Sequence, residues 1–244
     1  IDGTLSFAGN GVYYNSASTP GNTIIATFSD YLNATVIKSI GGADTLMNIS
    51  SIFGSAGDDV LNGSPTAAPD DVYVQTRTLQ GGAGNDTING FGLIINRADY
   101  SSATSAISVD LAAGSASDGQ GGTDLLINFR RVRGSSFNDT ILGSAGDDVI
   151  ETRSLGSHRL DGGSTGSSAV LIDLGTTPAE GGGYVGFVVK PGGITDMLIR
   201  FNQARGADGN DTLYGTPDDD VLRGAAGDNL LDGRGGLNTL EYGT

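Results

Sequence analysis

A chain of 244 residues with no cysteine and a single histidine cannot brace itself with disulfides, a thiolate zinc site or a histidine-rich metal site. Its net charge of −15, from 28 Asp plus Glu against 13 Lys plus Arg, argues against nucleic acid or an anionic membrane as the main partner and makes cations the expected counterpart. Glycine occurs 41 times without the every-third-residue period of collagen, so the chain must turn constantly.

In chain order, the stretch 41–63 opens strand-rich and closes on the nonapeptide GSAGDDVLN (54–62), and the turn after Gly63 lengthens to reach Asp71. GGAGNDTIN (81–89) follows, then an insert, ADYSSATSAISVDLAAG (98–114), with an alternating strand predicted over 107–111. The stretch 121–143 repeats the design of 41–63, ends in GSSFNDTIL (134–142) and runs into GSAGDDVIE (143–151). Alternating strands are predicted over 170–174 and 184–189 before 192–215 brings the long design a third time. Four nonapeptides then stand in tandem: GADGNDTLY (206–214), GTPDDDVLR (215–223), GAAGDNLLD (224–232) and GRGGLNTLE (233–241).

Asp59, Asp139 and Asp211 occupy matching places in the three long stretches. The chain therefore reads as three units of one design, about 1–78, 79–158 and 159–244, in a single continuous solenoid over 1–244. Glycine interrupts every helical window, so the expected fold class is all-β. In each nonapeptide the last three residues set one aliphatic between two outward positions, a short strand with one side chain turned inward. No apolar run approaches the roughly 18 residues of a membrane span, and no charged-then-apolar leader is present. Beginning at Ile1 and stopping at Thr244 in mid-pattern, the sequence reads as a segment of something larger.

The six residues before each short strand form the turn. Glycine at its first and fourth positions is expected to adopt positive φ and to aim carbonyls into one concavity, and the sixth residue adds a carboxylate. Of the 28 acids only Glu151, Glu180 and Glu241 are Glu, and short Asp side chains mixed with carbonyls suit a hard, oxygen-loving cation such as Ca2+. The candidate positions are Gly54, Gly57 and Asp59; Asp71; Gly81, Gly84 and Asp86; Gly134 and Asp139; Gly143, Gly146 and Asp148; Gly206, Gly209 and Asp211; Gly215 and Asp220; and Gly224, Gly227 and Asn229. Asn229 and Asn238 keep an oxygen but lose the charge, so ions beside them are expected to bind weakly or not at all.

Residues 81–89 match G-G-x-G-x-D-x-U-x, with U a large apolar residue, at every position. The chain thus resembles the repeats-in-toxin (RTX), or haemolysin-type calcium-binding, family. The resemblance implies a parallel β-roll with two nonapeptides per turn and several Ca2+ ions lying between stacked turns. It implies that 206–211 faces 224–229 and 215–220 faces 233–238, with Asp211 and Asp220 as carboxylate ligands. It further implies a secreted or cell-surface bacterial protein exported by type I secretion.

Other readings have less behind them. Gly162-Gly163-Ser164-Thr165-Gly166 fits a nucleophile elbow as a string, but a strand rather than a helix is predicted after it and His158 precedes it. Paired carboxylates at Asp58-Asp59, Asp147-Asp148 and Asp218-Asp219-Asp220 could suggest glycosidase chemistry, yet they recur at the repeat period. No self-contained enzyme is expected. Arg130, Arg131 and Arg133 form the one basic stretch, expected as a solvated strand face if Phe129 and Val132 point inward, or else as a contact for acidic polysaccharide. The expected function is a calcium-stabilised structural or adhesive module, with other surface proteins as further partners. The competing reading is a carbohydrate-binding accessory module of a secreted protease, lipase or polysaccharide epimerase.

Overall fold

The computed structural model describes residues 4–8, 11–15, 23–30, 33–39, 42–66, 76–92, 96–152, 159–161, 171–179, 182–190 and 195–241. These residues hold strands and turns but no helix. In chain order the strands are β1 (Thr4–Ala8), β2 (Gly11–Asn15), β3 (Ile24–Phe28), β4 (Ala34–Lys38), β5 (Gly42–Leu46), β6 (Ser51–Phe53), β7 (Val60–Asn62), β8 (Arg77–Gln80) and β9 (Thr87–Asn89). They continue with β10 (Asn96–Asp99), β11 (Ser108–Asp110), β12 (Ser115–Ser117), β13 (Thr123–Ile127), β14 (Arg131–Arg133), β15 (Thr140–Leu142), β16 (Val149–Glu151) and β17 (Arg159–Asp161). The last are β18 (Leu171–Pro178), β19 (Tyr184–Val189), β20 (Thr195–Ile199), β21 (Gln203–Arg205), β22 (Thr212–Tyr214), β23 (Val221–Arg223), β24 (Leu230–Asp232) and β25 (Thr239–Glu241).

The chain forms two compact units, one of residues 1–104 with 113–133 and one of 105–112 with 134–244. In the first, one sheet runs β1-β2-β6-β8-β10-β14 and is parallel apart from the β1–β2 hairpin. Its other sheet runs β12-β13-β9-β7-β3-β4-β5, with a parallel centre and antiparallel strands at both ends. In the second unit, β11-β15-β17-β21-β23-β25 is parallel throughout. Its other sheet runs β16-β20-β19-β18-β22-β24, with β19 antiparallel to both neighbours. This is the all-β, parallel-rich architecture expected of a β-roll.

The repeat explains the pairing. Leu213 pairs with Leu231 and Leu222 with Leu240, in each case the same position two nonapeptides further along, so a coil here takes two repeats. In the first unit Leu61 pairs with Ile88 and Ile88 with Leu126, at wider spacings, because the inserts add strands to those coils. The strands predicted over 107–111, 170–174 and 184–189 appear as β11, β18 and β19, the second of them longer than expected.

In each unit the core is a column of eighth-position side chains. Leu61 and Ile88 in the first unit, and Ile141, Ile150, Leu213 and Leu222 in the second, are all buried, while their strand neighbours are mostly half-buried. Ile52, Leu79, Ala98 and Val132 complete the first column from outside the nonapeptides, and Ala204 adds to the second. Leu231 and Leu240 depart from the expected inward position: Leu231 is half-buried and Leu240 exposed. Both lie on strands paired along one edge only among the described residues, which leaves their outer side uncovered there. Ile141→Ala should therefore cost about 2–5 kcal/mol, the range for a buried aliphatic lost from a packed core. Leu240→Ala should stay within about 0.5 kcal/mol of wild type, both read from urea unfolding in saturating calcium.

Candidate metal centres in the stacked turns

Each turn folds its sixth-position carboxylate back over its own start. The backbone N–H of Ser55 donates to Asp59 Oδ2 at 2.5 Å, Ser135 to Asp139 Oδ2 at 2.7 Å, Ser144 to Asp148 Oδ2 at 2.6 Å and Thr216 to Asp220 Oδ2 at 2.6 Å. The hydroxyls of these same residues also donate to the carboxylates and accept from the fourth-position N–H. Ser or Thr at position two is thus a structural part of the turn that the sequence reading missed. Its signal was visible in GSAGDD, GSSFND and GTPDDD.

The carboxylate explains glycine at position one. A Cβ on Gly81 would lie 1.9 Å from Asp86 Oδ2, and one on Gly206 2.2 Å from Asp211 Oδ2. Positive φ, expected there, is not found; among the candidates it occurs at the fourth position, at Gly84 (φ 114°) and Gly227 (φ 95°). Space, not backbone sign, selects the first glycine, because the inward carboxylate fills the volume a side chain would need.

Stacking brings oxygens of successive turns together. The point a Cβ would occupy on Gly54 lies 2.5 Å from Asp59 Oδ2 and 2.0 Å from the carbonyl of Gly81, in the next turn. At Gly206 the pair is Asp211 Oδ2 and the Gly224 carbonyl, and at Gly215 it is Asp220 Oδ2 and the Gly233 carbonyl. So 206–211 stacks on 224–229, and 215–220 on 233–238. Gly57 and Gly209 present their carbonyls to Gly84 and Gly227 of the following turns.

Two side-chain ladders hold this register. At position six, Asp59 N–H donates to Asp86 Oδ1 (2.8 Å), Asp86 to Asp124 Oδ1 (3.0 Å), Asp148 to Asp196 Oδ1 (3.0 Å), Asp211 to Asn229 Oδ1 (2.8 Å) and Asp220 to Asn238 Oδ1 (2.9 Å). At position five the direction reverses: Asn85 N–H donates to Asp58 Oδ1, Thr123 to Asn85, Asp228 to Asn210 and Leu237 to Asp219. In the doubled acid Asp58-Asp59 both residues bridge coils, and the sixth also folds back over its own turn. Asp124 and Asp196 lie outside the nonapeptides, and the sequence reading missed them as ladder members. Their signal was the acid recurring in GGTDLL and GGITDM.

The inward carboxylates are buried: Asp59, Asp86, Asp118, Asp124, Asp139, Asp148, Asp196, Asp211 and Asp220. Desolvation pushes Asp59, Asp124, Asp196 and Asp220 up to about 6. Asp86 is pushed to about 8, by desolvation first and then by repulsion from Asp124, Asp59 and Asp118. Asp86 Oδ2 and Asp118 Oδ2 are buried with no hydrogen-bond partner. Asp118 Oδ2 and the carbonyl of Gly84 converge on Gly122, 2.9 and 1.9 Å from the point of a Cβ there. Orphaned carboxylate oxygens meeting backbone carbonyls are the donor set of a hard divalent cation, and Ca2+ takes six to eight such oxygens. Among the described residues no three acidic side chains gather at one point as a metal cage.

Asn229 and Asn238 are placed differently from the acids. Asn229 Nδ2 donates to the carbonyls of Ala226 (3.2 Å) and Gly227 (3.3 Å), and Asn238 Nδ2 to those of Gly233 (2.9 Å) and Gly235 (2.6 Å). Their amides supply N–H donors to the carbonyls of their own turns. Gly134 packs against Asp139 Oδ2, whose partner oxygen accepts from Ile107 N–H at 3.1 Å. Gly143 lies beneath both Asp148 and Asp196, which pair with Lys190, and Gly146 donates its N–H to Ser144 Oγ. Asp71, His158 and Ser164 lie outside the described residues.

Burial of charge makes the chelated protein sensitive to pH. Acids raised from 3.8 to about 6 to 8 make the folded state bind more protons than the unfolded one, so stability without calcium should rise as pH falls from about 8 toward 4. β-sheet circular dichroism in chelator should accordingly be stronger at pH 5 than at pH 8; the opposite order would contradict the burial. Gly81→Ala, which sets a methyl on Asp86, should cost about 1–3 kcal/mol as overpacking and raise the calcium midpoint for folding.

The sequence model described as the RTX calcium-binding nonapeptide repeat, in four copies, matches residues 50–65, 78–92, 131–154 and 205–240. No curated protein matches the chain. The matched segments hold the turns at 54–59, 81–86, 134–139, 143–148 and 206–238 whose carboxylates and carbonyls converge. The chain carries RTX calcium-binding nonapeptide repeats, and its all-β, parallel-rich fold is the one those repeats build.

Proposed function

We propose that this chain is a calcium-stabilised structural or adhesive module of a secreted or cell-surface bacterial protein, exported by the type I route, and not a self-contained enzyme. The observation that carries the reading is the buried, partnerless Oδ2 of Asp118, which converges with the carbonyl of Gly84, together with the likewise buried and partnerless Oδ2 of Asp86. Asp59, Asp86, Asp118, Asp124, Asp211 and Asp220 would hold the ions, with carbonyls of the facing turns. Bound calcium supplies positive charge and a coordination shell that one six-residue turn cannot fill alone. The residues themselves do the rest: the ladders set the register, and the first-position glycines leave the carboxylates room.

A cleft of about 410 Å3 is lined by Tyr184, Arg200, Thr216, Asp218 and Asp219 among others, none of them His or Cys. The Thr216 hydroxyl is engaged with Asp220, and Asp219 accepts from Leu237 N–H. Phe129 and Val132 are buried, and Arg133 reaches Asp99 at 3.6 Å, which favours the strand-face reading of the arginines over glycan contact. No helix among the described residues is long and apolar enough to cross a membrane.

Calcium-coupled folding gives export its direction. In a calcium-poor cytoplasm the carboxylates repel and the glycine-rich turns lose about 1–2 kcal/mol of backbone entropy per ordered residue, so the chain stays unfolded and passes a narrow channel. Outside, calcium near 1 mM on a site with dissociation constant about 10⁻⁴ M contributes roughly 1.4 kcal/mol, and several sites add up. Circular dichroism should show β signal appearing on calcium titration and not with magnesium. Native-like signal in excess chelator at neutral pH, unchanged by calcium, would overturn the reading.

A further inference from the structure

The chain has only two lysines, Lys38 and Lys190. Lys38 makes an ordinary ion pair with Asp44 at 3.2 Å. Lys190, just after β19, does something else. Its ammonium lies 3.2 Å from Asp148 Oδ2 and 2.8 Å from Asp196 Oδ2, and it also donates to the backbone carbonyls of Ser144 and, at 3.2 Å, of Gly146. The four oxygens are two carbonyls of the turn 143–148, that turn's sixth-position carboxylate, and the carboxylate stacked on it in the ladder. The point of a Cβ on Gly143 lies 2.9 Å from both carboxylates and 3.3 Å from Nζ. At Gly54 and Gly206 a carboxylate and a carbonyl converge in the same way with no lysine beside them.

A surface ion pair would leave the two carbonyls to water. Here the ammonium, with its side chain 17% exposed, takes carbonyls and carboxylates together, the mixed donor set read above as a calcium site. We propose that the turn 143–148 is a cation site filled by the chain's own Lys190, so that this coil has a positive charge among its carboxylates at any calcium concentration, and that removing the ammonium opens a latent site for a divalent cation. The inference rests on reading the other Asp turns as calcium sites. Lys190 arrives from the insert strand β19, outside the nonapeptides. The motif is thus served in three ways: by an ion at the Asp turns, by a neutral amide N–H donor at Asn229 and Asn238, and by an ammonium at 143–148. The coil with the lysine is the one that needs no ion to hold its turn.

Amine acetylation of the whole chain in saturating calcium, read at each lysine by mass spectrometry, tests the occupant directly. Lys190 should react at least about tenfold more slowly than in denaturant, as expected of a group held in folded structure, and should stay slow as calcium is raised further. Reaction at the denatured rate, while circular dichroism reports the folded roll, would mean that calcium displaces the ammonium and would overturn the proposal. Lys190→Met should bind one more calcium ion than wild type by equilibrium dialysis and lose more β signal in chelator; unchanged stoichiometry in a folded variant would also overturn it. Should that variant fail to fold, acetylation of the wild type still decides. Calcium binding absent from wild type and variant alike would instead overturn the calcium reading, while slow acetylation would still place the ammonium in the turn.

Discussion

Stacking one oxygen-lined turn on the next, at the spacing that backbone hydrogen bonding demands, is the constraint from which the rest of this structure follows. Parallel pairing sets neighbouring strands about 4.8 Å apart, so whatever a turn points inward is repeated within the next coil. Here that is a carboxylate, from Asp59 to Asp86 to Asp124 in the first unit and from Asp148 to Asp196 in the second. Hydrogen bonds along the ladders satisfy one oxygen of Asp86, Asp124 and Asp196. They do not cancel the charge.

The hydrophobic core is poorly placed to absorb that cost. Each three-residue strand buries one aliphatic, as Leu61, Ile88 or Leu213 does, while its neighbours stay half in solvent. Such a narrow column gains far less per residue than a globular core would, and the turns consume glycine entropy. A positive charge brought to the turns therefore weighs heavily, whether from an ion or from a lysine, while Asn229 and Asn238 remove the negative charge and offer a neutral amide donor to their own carbonyls. The glycine at position one answers the same shortage of space, since a methyl there would stand where the carboxylate lies.

Much of this was legible because the motif is local. The nonapeptide period, the inward eighth position and the sixth-position acid all follow from residues close together in the chain, and the structure places Asp59, Asp86, Asp139, Asp148, Asp211 and Asp220 inward and buried. The serine or threonine at position two was equally local and went unread, because its hydroxyl serves the turn through hydrogen bonds that no composition reveals. The first glycine is needed for the volume of the folded-back carboxylate, not for the positive φ that the local motif suggests.

By itself, then, the sequence determined an all-β chain of glycine turns and short strands whose acids demand cations, since propensity, periodicity and charge act over short stretches of chain. Only the tertiary structure decided which turn meets which. Insert length sets a coil at two nonapeptides between Leu213 and Leu231 and at longer spans from Leu61 to Ile88 and from Ile88 to Leu126. It thereby fixes whether a turn's neighbour is another nonapeptide, the hairpin bearing Asp118 and Asp124, or the strand that delivers Lys190. Those partners are distant in the chain, as Asp148 is from Asp196. Their meeting depends on how the coils are wound, which is a property of the whole sheet and not of any single repeat.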